Sequence, residues 1–304
     1  MARAPRGSDG ADRTVHVPVM LREVLKALEL QPGMTVVDGT VGAGGHSSRI
    51  LEQIGPTGIL VGLDRDPSML ERARAKLTGP NCHLIHASYA ELEDVLQQLG
   101  LPPVDRILLD LGLSSDQLAD EERGFGFRAS GPLDLRFDTS QGEPAWQWLE
   151  KVSEAELADV LHEYGEEPFA RRIARSIVEQ RRTHPIRTAA ELTAAVDAAL
   201  PRSVQQSARK QPATRVFQAL RIVVNRELDQ LDKALDHVLY NSLKPGGRAV
   251  LISFHSLEDR RVKQAFRDSQ RWQVLTPKPV TATAAEQRAN PRCRSAKLRA
   301  AERL

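Results

Sequence analysis

The sequence predicts an α/β fold: a doubly wound parallel sheet interrupted by an all-helical inserted domain. Three observations predict it. Val36-Val37-Asp38-Gly39-Thr40-Val41-Gly42-Ala43-Gly44-Gly45-His46 reads as a buried strand that stops at Asp38, a loop with four glycines, and a helix beginning near His46. Strand and helix patterns then alternate as far as Asp110, as in a parallel sheet covered on both faces. From Pro144 to about Leu200 the pattern is purely helical, and a core strand returns only at Arg248–Phe254.

Residues 1–14 are rich in Arg, Gly, Asp and Ala without periodicity and read as a disordered tail. Val15 to Met20 is short and extended, because Pro18 disfavours helix at Val17. Leu21, Val24, Leu25 and Leu28 form one stripe of a first helix, closed by Gln31-Pro32-Gly33. Met34–Asp38 is the first strand, and His46–Ile54 the helix after it. Gly55-Pro56-Thr57-Gly58 turns the chain into a second strand, Ile59–Asp64. Pro67 opens the next helix at a first-turn position that proline tolerates. Cys82–His86 is a third strand, Tyr89–Leu99 a helix, and Ile107–Asp110 a fourth strand.

Leu111 to Gly142 reads as a long loop rich in glycine and serine. Four helical patterns follow, at Trp146–Leu149, Glu154–Tyr164, Pro168–Arg182 and Ala189–Leu200, then a polar linker at 201–214. Phe217, Leu220, Val224, Leu228, Leu231, Leu235 and Leu239 keep helical spacing and predict one long helix from Arg215 to Leu243. Beyond the fifth core strand, one more helix and one or two short strands are expected, with Trp272–Leu275 and Ala296–Arg299 as candidates. The chain thus divides into the tail at 1–14, a sheet domain at 15–140 and 213–304, and a helical insertion domain at 141–212.

The 304 residues suffice for one domain with an insertion or for two domains. Net charge is only +2, so nucleic-acid binding requires local patches and not a global field. Aromatics make up 4%, so stacking on bases must rest on a few side chains. The two cysteines, Cys82 and Cys293, have no metal-ligand spacing, which fits a reducing compartment and gives no sign of a metal site. No apolar run approaches membrane-spanning length and the start lacks a secretory apolar core, so a cytoplasmic location is expected.

A strand, a glycine loop and a helix N-terminus make a nucleotide-facing corner. A phosphate-binding P-loop would need Gly-Lys-Ser/Thr, but Gly45 is followed by His46 and Ser47. The dinucleotide fingerprint needs a third glycine where Ser47 stands. S-adenosylmethionine has no phosphate and suits the acid-Gly-x-x-Gly-x-Gly run from Asp38 to Gly44. Asp64 ends the second strand, where an acid accepts hydrogen bonds from ribose hydroxyls; capping of the helix after Pro67 is better served by Asp66. Tyr89 follows the third strand, either against an adenine face or packed on Leu92. Asp110 ends the fourth strand before a glycine turn, facing the reacting atoms, with Gln117 near the cofactor or simply on the surface. Arg171, Arg172, Arg175, Arg181, Arg182 and Arg187 read as a solvated edge. Arg288, Arg292, Arg294, Lys297, Arg299 and Arg303 have only Glu302 against them and suit a phosphate-binding surface.

Further motifs occur in order: His16-Val17-Pro18-Val19-Met20, Asp64-Arg65-Asp66-Pro67, Arg123-Gly124-Phe125-Gly126-Phe127, Gly131-Pro132-Leu133-Asp134-Leu135-Arg136, Pro212-Ala213-Thr214-Arg215, Ser253-Phe254-His255-Ser256-Leu257-Glu258 and Asn290-Pro291-Arg292. With the glycine loop and Leu108-Leu109-Asp110-Leu111-Gly112, they make nearly everything after residue 15 resemble the MraW family. The resemblance implies a class I (Rossmann-like) methyltransferase sheet with a helical insertion. It implies transfer of a methyl group from S-adenosylmethionine to N4 of a cytidine in the decoding region of small-subunit ribosomal RNA. Carried over by motif, the cofactor contacts are Gly44, Gly45, His46, Asp64, Tyr89, Asp110 and Gln117. Asp116 stands where other members carry proline. The implied partners are small-subunit ribosomal RNA or the assembling small ribosomal subunit, with no membrane; a homodimer is compatible.

Cytosine N4 is a poor nucleophile, so a site must align it and accept a hydrogen bond from it. Asp110 is the expected catalytic acceptor, the alternative being that it holds only the cofactor. Phe125, Phe127 and His255 are expected to flank the base, and the basic C-terminus to hold RNA backbone.

Overall fold

The computed structural model describes residues 18–126, 131–201 and 213–304. The tail expected at 1–14, the extended residues 15–17, Phe127 and positions 202–212 of the linker lie outside the described residues.

Five parallel strands form the heart of the sheet: β1 (Thr35–Asp38), β2 (Ile59–Asp64), β3 (Cys82–His86), β4 (Val104–Asp110) and β5 (Leu243–Ser253). Three antiparallel strands extend its edge: β6 (Trp272–Val274), β7 (Val280–Thr281) and β8 (Lys297–Arg303). The order is β3-β2-β1-β4-β5-β8-β6, with β7 also on β8. The chain moves from β1 outward to β3, then returns to lay β4 on the other side of β1. This reversal opens a crevice above the carboxyl ends of β1 and β4.

Successive residues of β1 serve opposite cores. Val36 packs in the layer with Met20, Val24, Ile50 and Leu70, and Val37 in the layer with Leu92, Leu96, Leu235 and Leu239. Side chains alternate along a strand, and both faces are covered, so the strands read as near-continuous apolar runs. The helices covering them include α1 (Leu21–Leu28), α2 (Gly45–Ile54), α3 (Pro67–Arg74) and α4 (Leu92–Gln98). Asp66 caps α3 by accepting the Ser68 N–H at 3.0 Å, as its position predicts.

The loop after β4 contains a short helix, α5 (Ser115–Ala119). Four helices follow, α6 (Ala145–Lys151), α7 (Glu154–Glu163), α8 (Ala170–Arg181) and α9 (Ala189–Ala199). Their apolar faces form a separate core that also takes in Phe125, Leu133, Leu135 and the side chains of Ala213 to Leu220. The helical core therefore draws on chain from both sides of residues 141–212.

The single helix expected from Arg215 to Leu243 is broken. Ala213–Asn225 ends before Arg226, whose φ is 50°, and a new helix runs from Glu227 to Lys233, then a π turn from Ala234 to Val238. The apolar stripe runs through this break, so periodicity alone cannot reveal it. Tertiary bonds account for it. Arg65 donates to the Asn225 carbonyl at 2.7 Å, and the Asn225 side chain donates to Leu135 O and accepts the Phe137 N–H, both at 2.7 Å. Asn225 thereby anchors the post-β4 loop beside the sheet, and helix Glu227–Lys233 starts at the crevice.

Candidate active site

The glycine loop is slung between two strand-end acids. Asp38 accepts the Ser47 hydroxyl at 2.6 Å and the Thr40 N–H at 3.2 Å. Asp64 accepts the Gly42 N–H and the Asp66 N–H, each at 2.8 Å. Burial raises both carboxyls above the usual aspartate range, and Asp64 is pushed up to about 6. Gly44 turns the loop into α2 with φ +80°, and a Cβ there would press on Leu77 at 3.0 Å. At Gly39 a Cβ would sit 2.4 Å from Leu109 Cδ2 and 3.0 Å from Tyr89 Cβ. The loop thus lies against β4 and the Tyr89 turn because Gly39 lacks a side chain, and against Leu77 because Gly44 does.

Asp110 stands at the end of β4. Its N–H donates to Thr40 Oγ1 at 2.7 Å, which locks the strand end to the loop. One carboxyl oxygen, Oδ2, faces His46 Nδ1 at 3.8 Å. The other, Oδ1, is buried with no hydrogen-bond partner among the described residues. An unpaired buried acceptor is unfavourable and calls for a donor. Burial raises the Asp110 carboxyl and Asp38 adds to the shift, while His46, Arg292 and the neighbouring Gly112 N–H oppose it. His46 Nε2 lies 2.9 Å from the Val19 carbonyl, which makes Nε2 the donor.

Gln117 is not a free amide. Its Oε1 accepts the Ser114 N–H at 2.9 Å, and its Nε2 donates to Asp66 Oδ2 at 2.9 Å. Asp66 is fully buried and pairs with Arg123, whose Nη2 lies 3.2 Å from Oδ2 and also donates to Arg136 O and Phe137 O at 2.6 Å. The loop after β4 is therefore pinned to the N-terminus of α3 by one buried ion pair. Asp116 adds an ion pair with Arg72 at 2.6 Å, an exposed tie between α5 and α3.

The glycine loop and the strand-end acids Asp64 and Asp110 line one open cleft. Gly45, His46, Asp64, Tyr89, Asp110 and Gln117 are on its wall, with Gly39 to Ala43, Arg65, Phe137, Leu228 and Arg292. Gly44 lies just behind the wall, where it makes the turn. The cleft also exposes Glu227 and Glu258, which the sequence offered no reason to single out. Arg221 donates to both Glu227 oxygens, at 2.7 and 2.9 Å. Glu227, His255 and Glu258 bring ligand-type atoms within 4.8 Å of one another, but the Arg221 guanidinium occupies both Glu227 oxygens.

Three expectations change. Phe125 is 4% exposed, stacked on Phe137 in the helical core, and cannot reach a base; Phe137 has the cleft position instead. His255 caps the helix Ser256–Ala265, its Nδ1 accepting the Glu258 N–H at 3.4 Å, and its Nε2 lies 3.1 Å from Glu258 Oε1. The C-terminal basic set is not one free surface. Arg299 is buried on Asp259 at 2.7 Å, Lys297 reaches the same carboxylate at 3.0 Å, and Arg303 donates to Tyr240 O at 2.7 Å and lies over the Tyr240 ring. Arg292 turns into the cleft.

Among the described residues no helix is long and apolar enough to cross a membrane. The sequence matches the MraW methylase family over residues 13–304. It is 49% identical to a protein of Nitratidesulfovibrio vulgaris named ribosomal RNA small subunit methyltransferase H, over 96% of this chain and 86% of that one. Proteins of the same name from Trichlorobacter lovleyi and Sorangium cellulosum are 45% and 47% identical, over 95% and 99% of this chain and 98% and 92% of theirs. A crevice at the switch point of an α/β sheet, walled by a glycine loop and strand-end acids, thus sits in a chain matched almost end to end by these relatives: it belongs to the MraW methylase family.

Proposed function

We propose that this chain transfers a methyl group from S-adenosylmethionine to N4 of a cytidine in the decoding region of small-subunit (16S) ribosomal RNA, in the cytoplasm where that subunit assembles. The names of its relatives support the RNA substrate. The chemical reading rests on one observation above the others: Asp110 Oδ1 lies buried without a partner in the cleft wall.

The cleft fits such a donor. The loop from Gly39 to Gly45 offers backbone with few side chains, so a ligand can approach it closely. Asp64 accepts hydroxyl donors, and Tyr89 gives an aromatic wall; burial, then Glu227 and Glu258, raise its hydroxyl and keep it protonated. When bound, S-adenosylmethionine supplies an electrophilic methyl on a sulfonium. The protein's part is to hold the acceptor nitrogen in line and take up the proton it gives off. Asp110 Oδ1 is the acceptor for that N–H. Its raised affinity for a proton suits the task. Thr40 fixes the position of Asp110 through its backbone.

Labelled methyl transfer from S-adenosylmethionine to undermethylated small subunits tests the reading, with mass mapping of the product. The expected product is a single N4-methylcytidine in the decoding region. A methyl on any other atom, or none, overturns it.

Donor binding should also depend on pH. A carboxylate accepts ribose hydroxyls better than a carboxylic acid does. With Asp64 pushed up to about 6, affinity should be flat above that pH and fall as pH drops through it, by roughly tenfold per unit. Calorimetric titration between pH 5 and 8 measures this. Asp64→Asn should bind weakly and without the step near 6; an unchanged step in that variant would assign the titration to another group.

A further inference from the structure

The part of the cleft beyond Asp110 carries a concentration of buried charge. Glu227 is 8% exposed and Glu258 3%, and both line the cleft. Arg221 holds Glu227 with two hydrogen bonds. His255 Nε2 lies 3.1 Å from Glu258 Oε1, and Glu258 Oε2 accepts the Phe254 N–H at 2.8 Å. Buried ion pairs contribute little net stability compared with apolar packing, so such a quartet at a ligand cleft suggests use. Burial pushes Glu258 up, but His255, the Phe254 N–H and Arg221 outweigh it and hold the carboxyl below its usual range. The group is therefore an acceptor on the cleft wall, and a ligand that uses its remaining lone pairs must bring N–H or O–H.

The topology says which end of the cleft it serves. Across the sheet the order is β2, β1, β4, β5. Asp64 ends β2, Asp110 ends β4 opposite Ile252 of β5, and Glu258 lies in the helix that follows β5. Asp110 thus stands between the acid assigned to the donor's ribose and Glu258. The exocyclic amine of cytosine has two hydrogens, and one of them is lost on methylation.

We propose that Glu258, positioned by His255, accepts the second hydrogen of that amine and so selects an amine-bearing base over uracil. The proposal rests on the cytosine reading above. Asp110 takes the departing hydrogen and Glu258 the retained one, so two acceptors fix the nitrogen from both sides. Uracil presents a carbonyl oxygen at this place, which repels both carboxylates. Arg221 occupies both oxygens of Glu227 next to it, so Glu258 is the acceptor left to a ligand.

The test measures binding of the full-length enzyme to small subunits carrying either cytidine or uridine at the mapped position, with S-adenosylhomocysteine present. The wild type should prefer cytidine about tenfold, in line with one good base-edge contact. Glu258→Gln, whose amide can donate to the uracil oxygen, should lose this preference while binding S-adenosylhomocysteine as before. Glu258→Asp keeps the charge and should retain part of the preference. Melting curves of both variants near that of the wild type exclude misfolding, and Glu258→Asp carries the comparison where the glutamine variant melts early. A Gln variant with the full wild-type preference overturns the proposal, as does a wild type that methylates cytosine N4 yet binds both subunits equally. A methyl mapped to another atom instead overturns the function on which it rests.

Discussion

Asp110→Asn should lower the rate of methyl transfer by about 10³-fold while leaving the fold and most donor affinity in place. The substitution keeps the shape of the side chain and the backbone bond from Asp110 N–H to Thr40 Oγ1 at 2.7 Å. It removes the acceptor pair and places a donor, or an acceptor that cannot take a proton, where Oδ1 now lies without a partner. The nitrogen would then have to lose its proton to water, which the walls of the cleft restrict. Burial of a neutral amide is easier than burial of the carboxyl, so the variant should melt at or above the wild-type temperature. Single-turnover transfer of labelled methyl to small subunits, with calorimetry of donor binding, separates the two effects. A variant that binds the donor normally and transfers at a near wild-type rate would remove Asp110 from the chemistry and leave it as a wall residue.

The residues behind this prediction differ in how plainly the sequence displays them. Asp38, Asp64 and Asp110 each end an apolar run just before a glycine, a proline helix start or a glycine turn, so strand periodicity alone brings them to one edge of the sheet. The loop is legible for the same reason, since its glycine spacing reflects contacts with Leu77, Leu109 and Tyr89 that admit no Cβ. Glu227 and Glu258 are not legible. Each is a charged residue in the first turn of an amphipathic helix, and such residues usually face water. What turns them inward is Arg221, six positions before Glu227, and the histidine cap at 255. The break at Arg226 is hidden because bonds from Arg65, Leu135 and Phe137 make it, while the apolar stripe continues unbroken. The basic C-terminus misleads in the opposite way. Counting charges along the chain finds only Glu302 nearby, but β8 runs beside β5 and brings Asp259 onto Lys297 and Arg299. A charge pattern records composition, and only the sheet register says which charges are already matched.

Asp66→Ala should be the most damaging single change to stability among the residues around the cleft. Asp66 has no exposed surface, caps α3, accepts the Gln117 amide at 2.9 Å and is the only acid paired with Arg123 among the described residues. Its loss leaves the Arg123 guanidinium, 8% exposed, without a counter-charge, and removes a helix cap. Breaking a buried pair from one side costs about 3–5 kcal/mol, and a lost cap about 1 kcal/mol more. Chemical denaturation followed by circular dichroism should give a loss of this size. Replacing both partners, Asp66→Leu with Arg123→Met, removes the uncompensated charge and should recover much of the stability. It should not recover donor binding. Gln117 would still lack the buried acid that holds its amide nitrogen, and the loop from Leu111 to Phe125 would be tied to α3 through the exposed Asp116–Arg72 pair and the Ser114 contact with Met69 Sδ at 3.4 Å. The double variant thus separates the two roles of the pair: holding the fold together, and setting the wall of the cleft. If it bound S-adenosylmethionine as tightly as the wild type, the buried pair would be structural alone, and the order of that wall would have to come from Thr40, Asp110 and the glycine loop.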